Sequence, residues 1–187
     1  MSVTGHNPVR RPDDYYATPS WCTKAILPHL RKSAHVLDPC AGDGAILRTV
    51  YEEWWPQDVA LLRGFEINSE RAEMSKSIQV DALKIPWHHP DNQDDKPGLI
   101  LTNPPYYLSM EFVDKALNEI ASTGTVAMLL RLAWLSSQKR AVWLRKHTPS
   151  VYVLPKRPSF TGKGTDSTDY AWFLWDRSPP TVKILEV

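Results

Sequence analysis

His35-Val36-Leu37-Asp38-Pro39-Cys40-Ala41-Gly42-Asp43-Gly44-Ala45-Ile46-Leu47 reads as a buried strand, a turn carrying two glycines, and the opening of a helix. Glycine lets a backbone turn sharply and approach a ligand with no Cβ in the way. The helix is expected to run from Ala45 to about Trp55. A lone turn of this kind connects many strands to helices, so the surrounding pattern has to decide what it means.

Outward from it, strands and helices alternate. Ala60 to Glu66 is expected as a second strand, with Ser69 capping a short helix through Lys76. Ile78-Gln79-Val80 is a brief third strand, and Gly98 to Thr102 a fourth. Met110 to Ile120 carries apolar residues at helical spacing in Phe112, Val113, Ala116, Leu117 and Ile120. Thr125 to Leu130 is almost wholly apolar and reads as a central strand. Leu135 to Arg145 is expected as a helix, and Ser150 to Leu154 and Tyr170 to Trp175 as the last strands. Such alternation predicts an α/β fold with a mainly parallel sheet and helices on both faces. Ligands then bind at the C-terminal strand ends, near the topological switch point.

The 187 residues are 42% hydrophobic, which suits one domain with a full core, expected to span 1–187. Residues 1–13 read as a flexible leader, and 86–97 and 157–169 as surface loops rich in turn-forming residues. With no apolar run long enough to span a bilayer and no signal-like N-terminus, the chain reads as cytoplasmic, without membrane contact. Cys22 and Cys40 make no disulfide framework. His88 and His89, with Asp91, Asp94 and Asp95, lie in a proline-broken loop without ligand spacing, so no metal is expected. Net charge is only +1, but Lys139, Arg140, Arg145, Lys146, Lys156, Arg157 and Lys163 gather in the last third. Such a cluster suits a basic face for phosphates as well as an ordinary solvated surface. Of eight tryptophans, Trp134, Trp143, Trp172 and Trp175 are expected in packing. Trp54, Trp55 and Trp87 are expected at the surface, Trp87 as a candidate wall of a substrate channel.

Two carboxylates sharpen the meaning of the glycine turn. Glu66 ends the second strand, where a ribose-binding acid sits in dinucleotide folds. Asp81 follows the third strand, where it can accept from an adenine amino group. The turn lacks the third glycine of a pyrophosphate cradle, because Leu47 stands there. That weighs against a dinucleotide. The most specific signal is Asn103-Pro104-Pro105-Tyr106, directly after the fourth strand. Consecutive prolines fix φ and remove two donors, making a stiff corner that presents the Asn103 amide and the Pro104 carbonyl as neighbouring acceptors. An exocyclic amine on an aromatic base is a poor nucleophile because its lone pair is delocalised. Two acceptors gripping its N–H groups free that lone pair, and Tyr106 offers a ring on which the base stacks.

The segment Asp38 to Gly44 resembles motif I of class I S-adenosylmethionine-dependent methyltransferases. Asn103-Pro104-Pro105-Tyr106 is similar to motif IV of the amino-methyltransferases acting on N6 of adenine. Asp14-Tyr15-Tyr16-Ala17-Thr18-Pro19 resembles their motif X, and Arg157 to Gly164 their motif VIII. The resemblance implies a Rossmann-like, seven-stranded, mostly parallel sheet with an antiparallel C-terminal strand. It implies S-adenosylmethionine as cofactor, held by Tyr16, Thr18, Pro19, Asp38, Pro39, Cys40, Ala41, Gly42, Gly44, Glu66, Ile67, Asp81, Ala82 and Asn103. Catalysis would fall to Asn103, Pro104, Pro105 and Tyr106, with Tyr106, Phe160 and Lys163 binding substrate and the Phe160 ring opposite Tyr106.

By the same resemblance the implied acceptor is adenine N6 in nucleic acid, DNA favoured over RNA, as in the small enzymes of phages and prophages. About a dozen residues follow Trp175, too few for a target-recognition domain. Short loops would then read the sequence, or specificity is low, or a partner supplies it. RNA adenine N6, guanine N2, a protein glutamine, and a catalytically silent cofactor-binding subunit stand as alternatives.

Overall fold

The structure, a computed structural model, describes residues 15–187 apart from 90, 93, 94, 161–163, 165 and 166. The expected leader over 1–13, Asp14, Asp94 and the candidate Lys163 therefore lie outside the described residues.

Eight strands form one sheet: β1 (His35–Asp38), β2 (Leu61–Glu66), β3 (Ile78–Gln79), β4 (Leu99–Thr102), β5 (Thr125–Arg131), β6 (Ser150–Val153), β7 (Tyr170–Trp175) and β8 (Val182–Ile184). Their spatial order is β3-β2-β1-β4-β5-β7-β6-β8. Pairings from β3 through β5 are all parallel, whereas β7 runs antiparallel to both β5 and β6. The expected mostly parallel α/β sheet is there. The last of the seven expected strands, β7, is the antiparallel one; the single difference is that β8 adds an eighth strand, parallel to β6. Three exposed residues carry no readable period, so β8 left no trace in the sequence pattern.

Alternation of side chains across the pleat builds a core on each face. Leu99, Leu101, Ala127, Leu129, Trp172 and Leu174 point to one face, where they meet α1 (Ser20–Ile26) and α2 (Ala45–Trp54). Ile100, Val126, Met128, Leu130, Ala171 and Phe173 point to the other, against α4 (Ser109–Glu119) and Trp134. Both faces of β5 and β7 are buried, which is why these strands read as continuous apolar runs. On α2, Ile46, Leu47, Val50 and Trp54 form a stripe at i, i+1, i+4 and i+8. That stripe buries Trp54, which the sequence reading left at the surface.

The remaining helices are α3 (Ser69–Ser75) and α5 (Ala141–Lys146). Asn68, not Ser69, caps α3, its side chain accepting from Arg71 N–H. The helix expected over 135–145 is broken into a 3-10 turn (Leu132–Leu135) and α5. Arg140 folds back between them, its guanidinium bonded twice to the Trp134 carbonyl at 3.1 and 2.8 Å. Satisfying that carbonyl from a side chain ends the turn where a longer helix would have continued. Trp87 is fully buried rather than exposed. Its indole donates to the Ala82 carbonyl at 2.7 Å, and Glu119 receives both its N–H and the His88 ring. Arg63 reaches Asp95 from β2, so the 86–97 loop is stapled to the sheet at both ends. No helix among the described residues is long and apolar enough to cross a membrane.

The chain runs from β1 outward to β3, then returns to place β4 on the other side of β1. The switch point thus lies between β1 and β4, whose C-terminal ends carry Asp38 and Thr102. Helix α1 is tied to this sheet by the Trp172 indole, which donates to the Cys22 carbonyl at 2.8 Å across 150 residues. Replacing Trp172 with Phe removes that bond and part of a fully buried ring. The expected cost is about 1–3 kcal/mol, read as a lower urea midpoint with unchanged m-value.

Candidate active site at the switch point

A cavity of about 450 Å³ opens at the C-terminal ends of β1, β2 and β4. Such a volume is ordinary for a small-molecule site. Its wall brings together most residues singled out from the sequence: Tyr16, Thr18, Asp38 to Gly42, Glu66, Ile67, Asp81, Ala82, and Asn103 to Tyr106. Segments from residue 16 to residue 106 converge on this space because the strand order reverses there. Pro19, Gly44 and Phe160 lie outside the wall.

Gly42 and Gly44 both adopt positive φ, +55° and +81°, a conformation L side chains rarely take. A Cβ at Gly42 would fall 2.5 Å from Tyr15 Cε2, and one at Gly44 3.0 Å from Ser75 Cβ. The first glycine therefore lets Tyr15 close onto the turn, and the second lets α3 pack against the start of α2. Gly44 serves the wall from behind.

Glu66, 6% exposed, anchors the turn. Its Oε2 accepts from Gly42 N–H at 2.9 Å, and its Oε1 from Asn68 N–H at 2.9 Å. Arg71 adds a bidentate contact to the same Oε1, at 3.2 Å from Nε and 2.9 Å from an Nη. The Arg71 guanidinium also lies 4.6 Å from the Tyr15 ring centroid. Glu66, Arg71, Tyr15 and Gly42 thus close a ring of contacts at one end of the cavity. Burial, together with the Asp43 carboxylate beside it, raises the Tyr15 hydroxyl to about 12. The second strand-end acid, Asp81, accepts from Leu83 N–H at 3.1 Å and from Lys84 Nζ at 3.1 Å. Tyr15, Asp43, Arg71 and Lys84 also line the cavity; Tyr15 and Asp43 fall within the quoted motifs, whereas Arg71 and Lys84 were not anticipated. Lys84 sits three residues after Asp81 on a helical turn, a spacing that would have revealed it. Arg71 follows Glu66 by five residues across the α3 cap, where no local rule applies.

Asp38 is fully buried. Its Oδ1 accepts from Cys40 N–H at 3.0 Å, while its Oδ2 has no hydrogen-bond partner among the described residues. Burial pushes this carboxyl up to about 7. The Thr102 hydroxyl, beside it but outside hydrogen-bonding geometry, and the Cys40 N–H work the other way, and the Glu66 and Asp43 carboxylates add to the rise. Burial likewise holds the Cys40 thiol well above its ordinary value, so it is no ready nucleophile.

Asn103 is oriented by the segment before α1. Its Nδ2 donates to Thr18 Oγ1 at 3.1 Å and lies 3.4 Å from the Tyr16 carbonyl. The remaining atom, Oδ1, is buried with no hydrogen-bond partner among the described residues. Buried acceptors are nearly always satisfied, so an orphaned one in a cavity wall marks where a donor belongs. Pro105 leads into a 3-10 turn (Tyr106–Leu108) whose Tyr106 carbonyl receives the Ser109 hydroxyl at 2.8 Å. The Tyr106 ring stacks at 6.3 Å on Tyr16, meets Tyr170 at 5.7 Å and carries the Arg131 guanidinium at 4.9 Å. Phe160, 7% exposed, packs on Tyr16 at 5.6 Å and Tyr170 at 5.1 Å. Its expected place opposite Tyr106 is occupied by Tyr16 and Tyr170, which link the two rings. Among the described residues, no group of three or more His, Cys, Asp or Glu side chains could hold a metal ion.

No protein-family model and no curated protein sequence matches the chain. Solved structures do. The methyltransferase subunit of a type I restriction-modification system from Streptococcus thermophilus superposes with a TM-score of 0.64 at 17% identity, covering 88% of this chain and 45% of that one. A putative RNA methyltransferase from Pyrococcus horikoshii gives 0.66 at 13% identity, over 89% and 88% of the two chains. A putative class I S-adenosylmethionine-dependent methyltransferase from Listeria monocytogenes gives 0.59 at 13% identity, over 90% and 63%. The chain spans less than half of the Streptococcus subunit and less than two thirds of the Listeria protein. At such identities the likeness concerns architecture: this is the Rossmann-like class I methyltransferase fold.

Two outcomes follow from these contacts. Removing one partner of a largely buried ion pair leaves an uncompensated charge. Arg71→Ala should therefore cost roughly 2–4 kcal/mol in the presence of Glu66 and much less beside Glu66→Gln, a coupling read from a double-mutant cycle of urea midpoints. Asp38 has its folded value raised above the ordinary 3.8. Its contribution to stability is therefore present in acid and lost as pH rises from about 4 toward about 7. Asp38→Asn should gain on the wild type across that window in thermal midpoint, measured without ligand. A pH-independent difference would remove the burial argument.

Proposed function

We propose that the chain transfers the methyl group of S-adenosylmethionine to the exocyclic N6 amine of adenine in DNA. One observation carries this reading: Asn103, whose Oδ1 is buried without a hydrogen-bond partner among the described residues, lines one cavity with Tyr106, Gly42, Glu66 and Asp81. An acceptor of that kind suits a group that brings an N–H with it.

S-adenosylmethionine, when bound, supplies an electrophilic methyl on a sulfonium sulfur. The residues present fit such a ligand. A turn that tolerates no Cβ at Gly42, a carboxylate at Glu66 for ribose hydroxyls and a second at Asp81 for an adenine amino group all line one space. Ile67, 61% exposed at the rim, offers an apolar face for the cofactor adenine, and Ala41, Ala82 and Pro39 complete the wall. Asn103 Oδ1 and the Pro104 carbonyl accept the two N–H groups of the target amine, and the stiff Pro-Pro corner keeps them from following it. Tyr106 supports the base by stacking. No strong base is needed, because the amine becomes acidic as it attacks. Rate then comes from positioning and charge complementarity. Because a paired base buries its amine in the stack, a duplex substrate would have to flip the target nucleotide.

RNA is retained as the acceptor in a second reading, at adenine N6 or guanine N2. The likeness to an RNA methyltransferase over nearly the whole of both chains supports it. A protein glutamine acceptor and a silent cofactor-binding subunit fit less well with an aromatic-walled site that retains both the glycine turn and the Asn-Pro-Pro-Tyr corner.

The test is to incubate the protein with labelled S-adenosylmethionine and DNA, RNA and protein acceptors, and to identify the modified nucleoside by mass. Asn103→Ala should lower transfer by about two to three orders of magnitude, the usual loss when a preorganised polar group is removed from a site of this kind. Calorimetry should find S-adenosylmethionine affinity close to wild type in that variant. Equal rates in variant and wild type would end the mechanism. Label found only in protein would end the nucleic-acid assignment.

A further inference from the structure

Resting on the nucleic-acid reading above, we propose that Trp21 and Lys156 form a second nucleotide subsite beside the cavity. It would take the base and the phosphate of a nucleotide flanking the target in a single strand.

Trp21 is the second residue of α1, and its placement follows from that helix. Cys22, Thr23 and Ile26 turn into the core, leaving the indole half-buried against the cluster under α1. Thr18, whose hydroxyl holds the Asn103 amide, precedes Trp21 by three residues, so chain length alone keeps the two within about 11 Å. Lys156 arrives from the other side, just beyond β6, after Leu154 has turned into the core. Its ammonium rests 4.8 Å from the Trp21 ring centroid. Among the described residues no carboxylate lies within ion-pairing distance of Lys156, unlike Lys24 one turn along α1, which pairs with Glu53 at 2.9 Å. Four residues after Lys156, Phe160 packs on Tyr16, a residue of the cavity wall.

The same arrangement recurs at the target position. Arg131, at the end of β5, holds its guanidinium 4.9 Å from the ring centroid of Tyr106. Tyr106 and Trp21 thus each carry a cation from at or just beyond the end of a strand. An exposed cation on a ring is a weak contact, whereas a stacked base with its phosphate against a basic side chain uses both groups more fully. A nucleotide entering at Trp21 would take the ring face for its base and turn the Lys156 ammonium onto its phosphate. Stacking of this kind reads no sequence. It also favours a single strand, because a paired base has no free face to offer.

The experiment uses the full chain with short adenine-containing oligonucleotides of DNA and of RNA, each single-stranded and as a blunt duplex. Acceptor KM and binding by fluorescence anisotropy are measured over a salt series. Lys156→Ala should reduce the slope of log affinity against log salt by about 1. Trp21→Ala should raise single-strand KM about tenfold, Trp21→Phe should restore most of it, and S-adenosylmethionine affinity should stay unaltered in all three. A cation–π staple with no role in binding would instead lower the thermal midpoint and leave KM and salt slope at wild-type values, and that result overturns the subsite. Should Trp21→Ala fail to fold, Lys156→Ala and Lys156→Glu decide alone. Methylation by wild type together with unchanged acceptor binding in the variants sinks the subsite and spares the function. Absence of methylation of either nucleic acid by wild type sinks both.

Discussion

The hydrogen bond from Asn103 Nδ2 to Thr18 Oγ1 decides what the site can be. An amide has two ends, and here only the nitrogen has a hydrogen-bond partner among the described residues. With the nitrogen committed to Thr18 and the Tyr16 carbonyl, the oxygen is left as a buried acceptor. The bond spans 85 residues and joins the segment before α1 to the end of β4, so it depends on α1 being held in place. Trp172 does that holding from the middle of the sheet. A single polar geometry is thereby supported by a buried indole of β7, distant in sequence from both of its partners, which is how preorganisation is maintained without rigidity in the loops themselves.

Electrostatics at the other end of the cavity follow a different rule. Glu66 and Asp81 each face a cation from just downstream, Arg71 and Lys84. The two pairs differ in weight. Lys84 is 80% exposed, so its contact with Asp81 is screened and readily exchanged for a ligand group. Arg71 is only 17% exposed, shares its carboxylate oxygen with a backbone N–H and lies on Tyr15. That pair is structural as much as it is available. Asp38 stays buried with one oxygen unpartnered among the described residues, and burial raises its carboxyl to about 7.

Much of this was legible in the sequence, for identifiable reasons. The glycine turn and the stiff Pro-Pro corner are each written in a few consecutive residues, and strand-end acids are local features of βα units. The strands with both faces buried, β5 and β7, announced themselves as apolar runs. What escaped depends on contacts between distant segments. Only the family resemblance set Phe160 opposite Tyr106, and in the fold it packs on Tyr16 and Tyr170 outside the wall. Trp87 looked exposed because its loop is polar, yet Arg63 and Glu119 pull that loop down and bury the indole. Arg71 and Tyr15 meet through a fold contact that no spacing encodes. The eighth strand is too short and too exposed to leave a pattern.

The place of β7 has a consequence for how the molecule is made. It lies between β5 and β6 and pairs with both, yet the ribosome finishes it only with Trp175. Until then a nascent chain carries β5 as a bare edge, six of its seven residues apolar or buried in the finished sheet. Such an edge invites pairing with other chains. The half of the sheet behind the target side of the cavity is therefore the last to close during synthesis, and the interval before residue 175 emerges is when the chain is most open to misassembly.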